Sequence, residues 1–307
     1  MAGDVRDSTI VSTRKLTKTD GFVVVDLDDA AQAVGIIRSA PKVLIDGATW
    51  LARSATYQFA SFGRKVSGAS AAINSPVDTK AEAIAAGVGE LGAEEWAFLS
   101  LDAGRGVSIT DLEPLRSNDP RPAEWFSSRD ANIVAGIVAA AHRAVGGLSG
   151  RSVAIEQFDA TAQLLADAFA AAGATIFEAG EDADDAETLH AEVDILTVGS
   201  KIGVIGLGNA SKVKAKIIVP SGSLPVSAKA LFELRRAGTV VLPDFITTAG
   251  HFAAWPENGS STDAATLVGD AILSVLDHPE GPLLGACISA EAFLESWTTI
   301  PFGRPIA

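Results

Sequence analysis

The sequence predicts a two-domain α/β protein whose second domain is a doubly wound, mostly parallel sheet. Three observations carry that expectation. The chain has 307 residues, about twice the usual length of one domain. A polar stretch with two prolines, Ser117–Pro122 (SNDPRP), interrupts it and cannot continue a regular element. From Ser128 onward, short β-branched runs alternate with helical stretches of roughly ten to fifteen residues, the grammar of βαβ units. The domains are therefore expected at 1–127, completed by a C-terminal segment 278–307, and at 128–277.

Taken in order, the polar first twenty residues predict a short, loosely held lead. Gly21–Asp26 (GFVVVD) reads as a buried strand and Lys42–Ile45 as another, with Asp28–Ser39 between them too apolar for a free linker. Trp50–Phe62 and Ala81–Leu91 carry apolar residues near helical spacing, with Gly87 and Gly89 weakening the end of the second. Glu95–Leu101 is a strand candidate ending in Asp102-Ala-Gly104. The second half reads as helix Ala131–Val145, strand Ser152–Gln157, helix Thr161–Ala172, strand Ala174–Glu178 and a helical stretch at Ala183–Glu192. Strands Val193–Val198 and Lys216–Val219, helix Ser227–Ala237 and strand Thr239–Leu242 follow. Ser260–Asp277 is the final long helix, expected to run back to the first domain with the Trp297 tail.

Composition narrows function. Apolar residues make up 48% and charged residues 20%, which belongs to an ordered globular protein. The net charge of −14 repels phosphate backbones and anionic lipid, so nucleic acid and membrane are poor partners. A single cysteine, Cys287, excludes an intramolecular disulfide framework and a cysteine-based zinc site, and with no charged-then-apolar leader it predicts a cytoplasmic protein. No apolar run approaches the ~20 residues of a bilayer span. The acidic run Glu181–Glu187 (EDADDAE) reads as a solvated loop and helix start, since the glycine and distal glutamate of a calcium loop are absent. No metal site is expected. Nucleophile-elbow, zincin and P-loop motifs are absent as well.

Arg151–Ala174 has the layout of a Rossmann first unit: strand, turn, amphipathic helix, then Gly173 before the second strand. Its turn departs from G-x-G-x-x-G, with Gln157, Asp159 and Ala162 at the glycine places. Asp159 would aim a carboxylate where a pyrophosphate meets the helix N-terminus. Glu178, about twenty residues on, is placed to accept from a ribose hydroxyl. Gly206–Ser211 matches glycine spacing but is a decoy, because the strand at Lys216 leaves too few residues for a helix.

Several segments together resemble the glutamate/leucine/phenylalanine/valine dehydrogenase family. Ala33–Arg38 (AVGIIR) resembles its A-x-G-G-x-R, and Trp50–Ile73 its L-A-x-x-M-T-x-K-N-A and G-G-G-K-x-x-I segments. Leu101–Gly104 is similar to its D-x-G. Val219–Ser227 (VPSGSLPVS) and Leu242–Trp255 (LPDFITTAGHFAAW) are similar to its E-G-A-N-x-P-x-T and P-D-x-x-x-N-A-G-G. The resemblance implies an N-terminal α/β substrate domain, a Rossmann-type domain for NAD or NADP, a cleft between them, and an oligomer. It also implies oxidative deamination using one lysine to hold the substrate carboxylate, a second to activate water, and an aspartate to move protons.

Carried over position by position, the first lysine falls on Gln58, the second on Ser70 and the aspartate on Asp102. The family's asparagines fall on Ser223 and Thr248, and its last glycine on His251, an imidazole suited to proton exchange near neutral pH. The catalytic expectation is thus Asp102 with His251, Gln58 and Ser70. The cofactor-binding expectation is Gln157, Phe158, Asp159, Ala160, Thr161, Glu178, Ser223 and Thr248. With both lysines replaced, the chain is expected to be a diverged NAD(P)-dependent oxidoreductase acting on an amino acid, a keto acid or a related small molecule. The alternative is a catalytically silent paralogue that binds a small molecule or serves as the non-catalytic subunit of a hetero-oligomer beside an intact homologue.

Overall fold

The computed structural model describes residues 11–156, 160–177, 185–255, 260–300 and 303–306. The chain forms two compact units, one from 1–120 with 289–305 and the other from 121–288 with 306–307.

In the first unit the elements are β1 (Ser12–Lys15), β2 (Gly21–Val25), β3 (Ala33–Ala40), α1 (Ile45–Ser61), β4 (Ser67–Asn74), α2 (Lys80–Leu91) and β5 (Leu99–Ala103). The sheet order is β1-β2-β4-β3-β5, with β3 parallel to β4 and β5, and β2 antiparallel to β1 and β4. One face packs Val23, Ile37, Ala71, Ile73 and Leu101 against Ile84, Val88 and Leu91 of α2. The other packs Phe22, Val24 and Ala72 under Ala48 and Ala52 of α1.

Three expectations fail here. The strand of the second apolar stretch is Ala33–Ala40 rather than Lys42–Ile45, because Pro41 has no amide to continue a ladder. Leu44 and Ile45 then start a helix and are 61% and 50% exposed. The polar lead is not loose from Ser12 onward, since β1 pairs along β2 as an edge strand. Glu90 fastens the turn that follows by accepting from the amides of Thr17 and Lys18 at 2.8 Å and 2.7 Å. Edge strands are tolerably polar because only one side needs a ladder. The strand near Glu95 begins later, at Leu99, after a single 3-10 turn at Glu94–Trp96.

β4 carries the small-residue run SGASAAIN, which hydrophobic patterning alone does not identify as a strand. Its reason is packing. A Cβ on Gly68 would lie 1.8 Å from the carbonyl oxygen of Ala52, so α1 sits directly on the strand. Thr56 Oγ1 accepts from the Gly68 amide at 2.8 Å.

The second unit contains α3 (Ala123–Ser127), α4 (Arg129–Val145), β6 (Ser152–Glu156), α5 (Ala160–Ala171), β7 (Thr175–Ile176) and α6 (Asp185–Leu189). It continues with β8 (Ile195–Val198), α7 (Leu207–Ala210), β9 (Ile217–Pro220), α8 (Ala228–Ala237), β10 (Val240–Val241), α9 (Asp244–Thr247) and α10 (Ser261–Leu276). Its five strands are all parallel, in the order β10-β9-β8-β6-β7. The chain steps from β6 to β7 on one side and then crosses to β8 on the other, so the carboxyl ends of β6 and β8 form the topological switch point.

Residues 207–210 do form one helical turn, where none was expected, and Asn209 Oδ1 accepts from the Gly206 amide at 2.9 Å to close it. The long helix α10, capped by Ser260 and Asp263, packs along α4 in its own unit instead of running back. The final helix is α11 (Pro282–Leu294), which begins in the second unit and ends in the first. At the end of the first unit, Glu291 accepts from Tyr57 at 3.0 Å and from Arg304 at 2.7 Å.

Candidate functional site

The catalytic expectations are divided between the units, and the first holds Gln58, Ser70 and Asp102. Register places two of them together. Ser70 on β4 pairs with Ile36 on β3, and Ile36 pairs with Asp102 on β5. Neighbouring residues in parallel register point to the same face, so Ser70, Ile36 and Asp102 make one row, on the face that α1 covers over β4.

Ser70 is fully buried, and its Oγ has no hydrogen-bond partner. Asp102 is buried too. Gln58 is half-buried on α1. It stands past Thr56, which meets Gly68, so it lies toward the amino end of β4 and away from the row. The next row toward the carboxyl ends holds Ala72, Arg38 and Gly104, of which Ala72 and Arg38 are direct register partners. The family resemblance included Arg38 in a matched segment but gave it no role. Its signal was an arginine directly after the apolar pair Ile36–Ile37 of β3, with a glycine, Gly104, one residue past the end of β5.

In the second unit the predicted cofactor positions that are described lie along the carboxyl edge of the sheet, the edge at which open α/β sheets take ligands. Thr161 is in the first turn of α5, Ser223 is exposed in the loop after β9, and Thr248 follows α9. Ala160 begins α5. Gln157, Phe158, Asp159 and Glu178 lie outside the described residues.

The loops of this edge are tied to one another. Asp244 Oδ2 accepts from the Leu224 amide at 2.8 Å, and Thr247 Oγ1 donates to the Pro220 carbonyl at 2.7 Å. Leu224 is held at a φ of 56°, a left-handed conformation that costs a side-chain-bearing residue about 1–2 kcal/mol. The Asp244 contact meets that cost by fixing the turn.

Glu156 ends β6 at the switch point and is almost wholly buried. Its carboxylate accepts from the Ser200 hydroxyl and from the Gly199 amide at 3.3 Å. Beside it, the backbones of Gly199 and Gly222 press together, so that a Cβ on Gly222 would lie 2.5 Å from the Gly199 oxygen. Ser221, between β9 and Gly222, has a buried Oγ without a hydrogen-bond partner. Sequence reading missed Glu156, Ser221 and Asp244, none of which belongs to a glycine fingerprint.

His251 is 7% exposed and packed edge-on against Trp125, with ring centroids 4.6 Å apart, and against Phe252 at 4.8 Å. Its Nδ1 lies 3.0 Å from the Thr248 carbonyl oxygen. A carbonyl can only accept, so Nδ1 carries the proton and donates. Arg121 covers Trp125 from 5.0 Å. Trp125 is itself fully buried. His251 and Thr248 are therefore brought together, while Asp102 belongs to the other unit.

A cavity of about 570 Å³ opens at the opposite, amino edge of the same sheet, lined by Arg151, Asp194, Lys216, Arg235 and the start of α11. Lys216 and the Ser152 amide donate to Asp194, and these bonds hold its carboxyl down at about 2. None of the predicted site residues lines this cavity. Among the described residues no cluster of His, Cys, Asp or Glu is arranged to hold a metal, and no helix is long and apolar enough to cross a membrane.

No family model matches the chain. One segment of 71 residues is 38% identical to the glutamate dehydrogenase of Thermotoga maritima, covering 23% of this chain and 17% of that protein. Another match, 35% identical over 85 residues, is to the NADP-specific glutamate dehydrogenase of Saccharolobus shibatae, covering 26% of this chain and 20% of the relative. The chain thus matches about a fifth of the length of these curated relatives. Its fold matches the L-tryptophan dehydrogenase of Nostoc punctiforme with a TM-score of 0.68 at 16% identity, covering 95% of this chain and 98% of that one. It also matches the hetero-hexameric glutamate dehydrogenase of Thermus thermophilus in its leucine-bound form, with a TM-score of 0.71 at 15% identity over 90% of this chain and 84% of that one. The chain shares the fold of these amino-acid dehydrogenases over nearly its whole length and is similar in sequence to glutamate dehydrogenases over about a quarter of it.

Proposed function

We propose that the chain is a diverged oxidoreductase of the amino-acid dehydrogenase type, dependent on NAD or NADP and acting on an amino acid, a keto acid or a related small molecule. The observation that carries this reading is the row on the first sheet. It keeps a buried carboxylate, Asp102, in one row with the position that the family resemblance assigns to a catalytic side chain, Ser70, across the intervening Ile36. Asp102 is the group that exchanges a proton with the substrate. Gln58 and Ser70 carry no charge, and neither is a base near neutral pH. His251 donates through Nδ1, so any proton exchange by its ring uses Nε2.

The described residues at the switch point fit the uncharged parts of a dinucleotide. The orphaned Ser221 hydroxyl is available to a ribose or carboxamide group, and α5 begins immediately beyond the switch point. Thr161, Ser223 and Thr248 along the same edge would complete its contacts. When bound, that cofactor would accept or deliver the hydride. The protein would act in the cytoplasm, as an oligomer of its own copies or with an intact homologue.

Titration with NADH and NADPH, followed by nucleotide fluorescence, is expected to saturate for one of them. No binding of either up to millimolar concentrations overturns the reading.

One observation favours a second reading. Where the resemblance expects a lysine, the chain has a fully buried hydroxyl closed off from solvent, as befits a silent paralogue that binds a small molecule or partners an active subunit. Purification from the native source would then bring down an intact homologue. A homo-oligomer with NAD(P)H-dependent turnover would reject it.

A further inference from the structure

Arg38 lies one row from Asp102, near the end of β3. Its stem runs over Gly104, where a Cβ would lie 2.9 Å from Arg38 Cγ and 3.4 Å from Ile36 Cδ1. The glycine of the Asp102-Ala-Gly104 segment thus leaves a lane for the arginine. At the end of that lane, Nε and Nη2 are buried and neither has a hydrogen-bond partner. They take nothing from Asp102 in the neighbouring row.

A guanidinium keeps its charge in a protein, so it cannot escape burial by shedding a proton. Desolvation lowers its pKa from the ordinary value without neutralising it. Arg38 is half-buried, and two buried donors of a charged group are costly unless something supplies the acceptor. Two adjacent N–H donors in a rigid fork match the two oxygens of a carboxylate.

We propose that Arg38 is the carboxylate-binding residue of the first unit, with Nε and Nη2 each taking one oxygen of a small organic acid lying over Ile36 and its reacting end toward Asp102. This deepens the oxidoreductase reading, on which it rests for the premise that the Asp102 face receives the substrate. It also explains how the chain holds an acid although Gln58, the position matching the family's carboxylate-holding lysine, brings no charge.

The test is calorimetric titration of the full chain, without nucleotide, using L-glutamate, L-leucine, L-tryptophan and their 2-oxo acids, each beside its carboxamide. At least one acid is expected to bind, with its carboxamide at least about tenfold weaker. Arg38→Met is expected to weaken the acid by about tenfold or more and to leave the carboxamide unchanged. Arg38→Lys, which keeps charge but not the fork, is expected to lose roughly three- to tenfold.

The proposal fails if no acid binds the native chain, or if Arg38→Met binds the acid as the native chain does. It fails equally if that substitution changes only the oligomeric state, because Arg38 then serves a contact between copies. Should Arg38→Met not fold, Arg38→Lys decides the matter, and undiminished affinity overturns the proposal. Arg38-dependent acid binding without any NAD(P)H binding would sink the oxidoreductase reading and leave this one standing.

Discussion

Two arginines are set deep in the first unit, at opposite ends of its parallel strands, and they are treated in opposite ways. Arg53, on α1, donates through Nε to both carboxylate oxygens of Asp26 at 2.8 Å and through Nη1 to the Gly303 carbonyl. Its side chain is 5% exposed and that of Asp26 not at all. Arg38, toward the carboxyl ends, has Nε and Nη2 buried and unanswered. The same residue type thus serves architecture at one end, where its partner is internal, and is left waiting at the other. Burial pushes the Asp26 carboxyl up, against the attraction of Arg53 that pulls it down, so even the answered pair holds its charges against a desolvation cost.

The contrast yields predictions in descending order of effect. Asp26→Ala strands Arg53 in the interior and is expected to lower stability by about 3–5 kcal/mol in denaturant unfolding. A loss below about 1 kcal/mol would mean that Arg53 escapes to water and that the contrast is false. Gly68→Ala drives a methyl into the Ala52 carbonyl and forces α1 off β4, with an expected loss of about 1–3 kcal/mol. Its thermal midpoint should fall accordingly.

Asp194→Asn tests a partnered acid at a surface edge, and is expected to cost only about 1 kcal/mol at neutral pH. The folded carboxyl titrates at about 2 against an ordinary 3.8. Its contribution is therefore full above the ordinary value and disappears as the pH falls from there toward 2. Unfolding curves of native and Asp194→Asn protein should converge over that window. An unchanged gap would assign the effect to packing. Arg38→Met, by contrast, is expected to leave stability within about 0.5 kcal/mol or to raise it, since it removes two buried donors that have no partner. A clear loss in unfolding free energy would show that Arg38 has a structural partner.

Legibility followed the kind of signal each segment carries. Amphipathic helices such as 129–145 and 228–237, and the β-branched strands 152–156, 195–198 and 217–220, stood out because burial and periodicity coincide in them. β4 and the edge strand β1 did not. One is built of small residues because a helix presses on it, and the other is polar because it lies at an edge. Part of the candidate site was equally legible. Asp102 and Ser70 emerged from spacing against a known family pattern, whereas Arg38 entered only as the last residue of a matched segment and Glu156 has no motif, and what distinguishes them is whether a buried polar atom finds a partner.

The sequence by itself determined the two-part α/β character of the chain, most of the strands and helices of the second half and its parallel sheet, since these depend on residue identity and local periodicity. Tertiary structure alone decided that Ser70, Ile36 and Asp102 share a row, that Gly104 opens a lane for Arg38, and that the buried nitrogens of Arg38 go without the partner that Arg53 has in Asp26. Those facts arise from register between strands distant in sequence and from close packing, which set the partners of a buried charge and which no local pattern encodes.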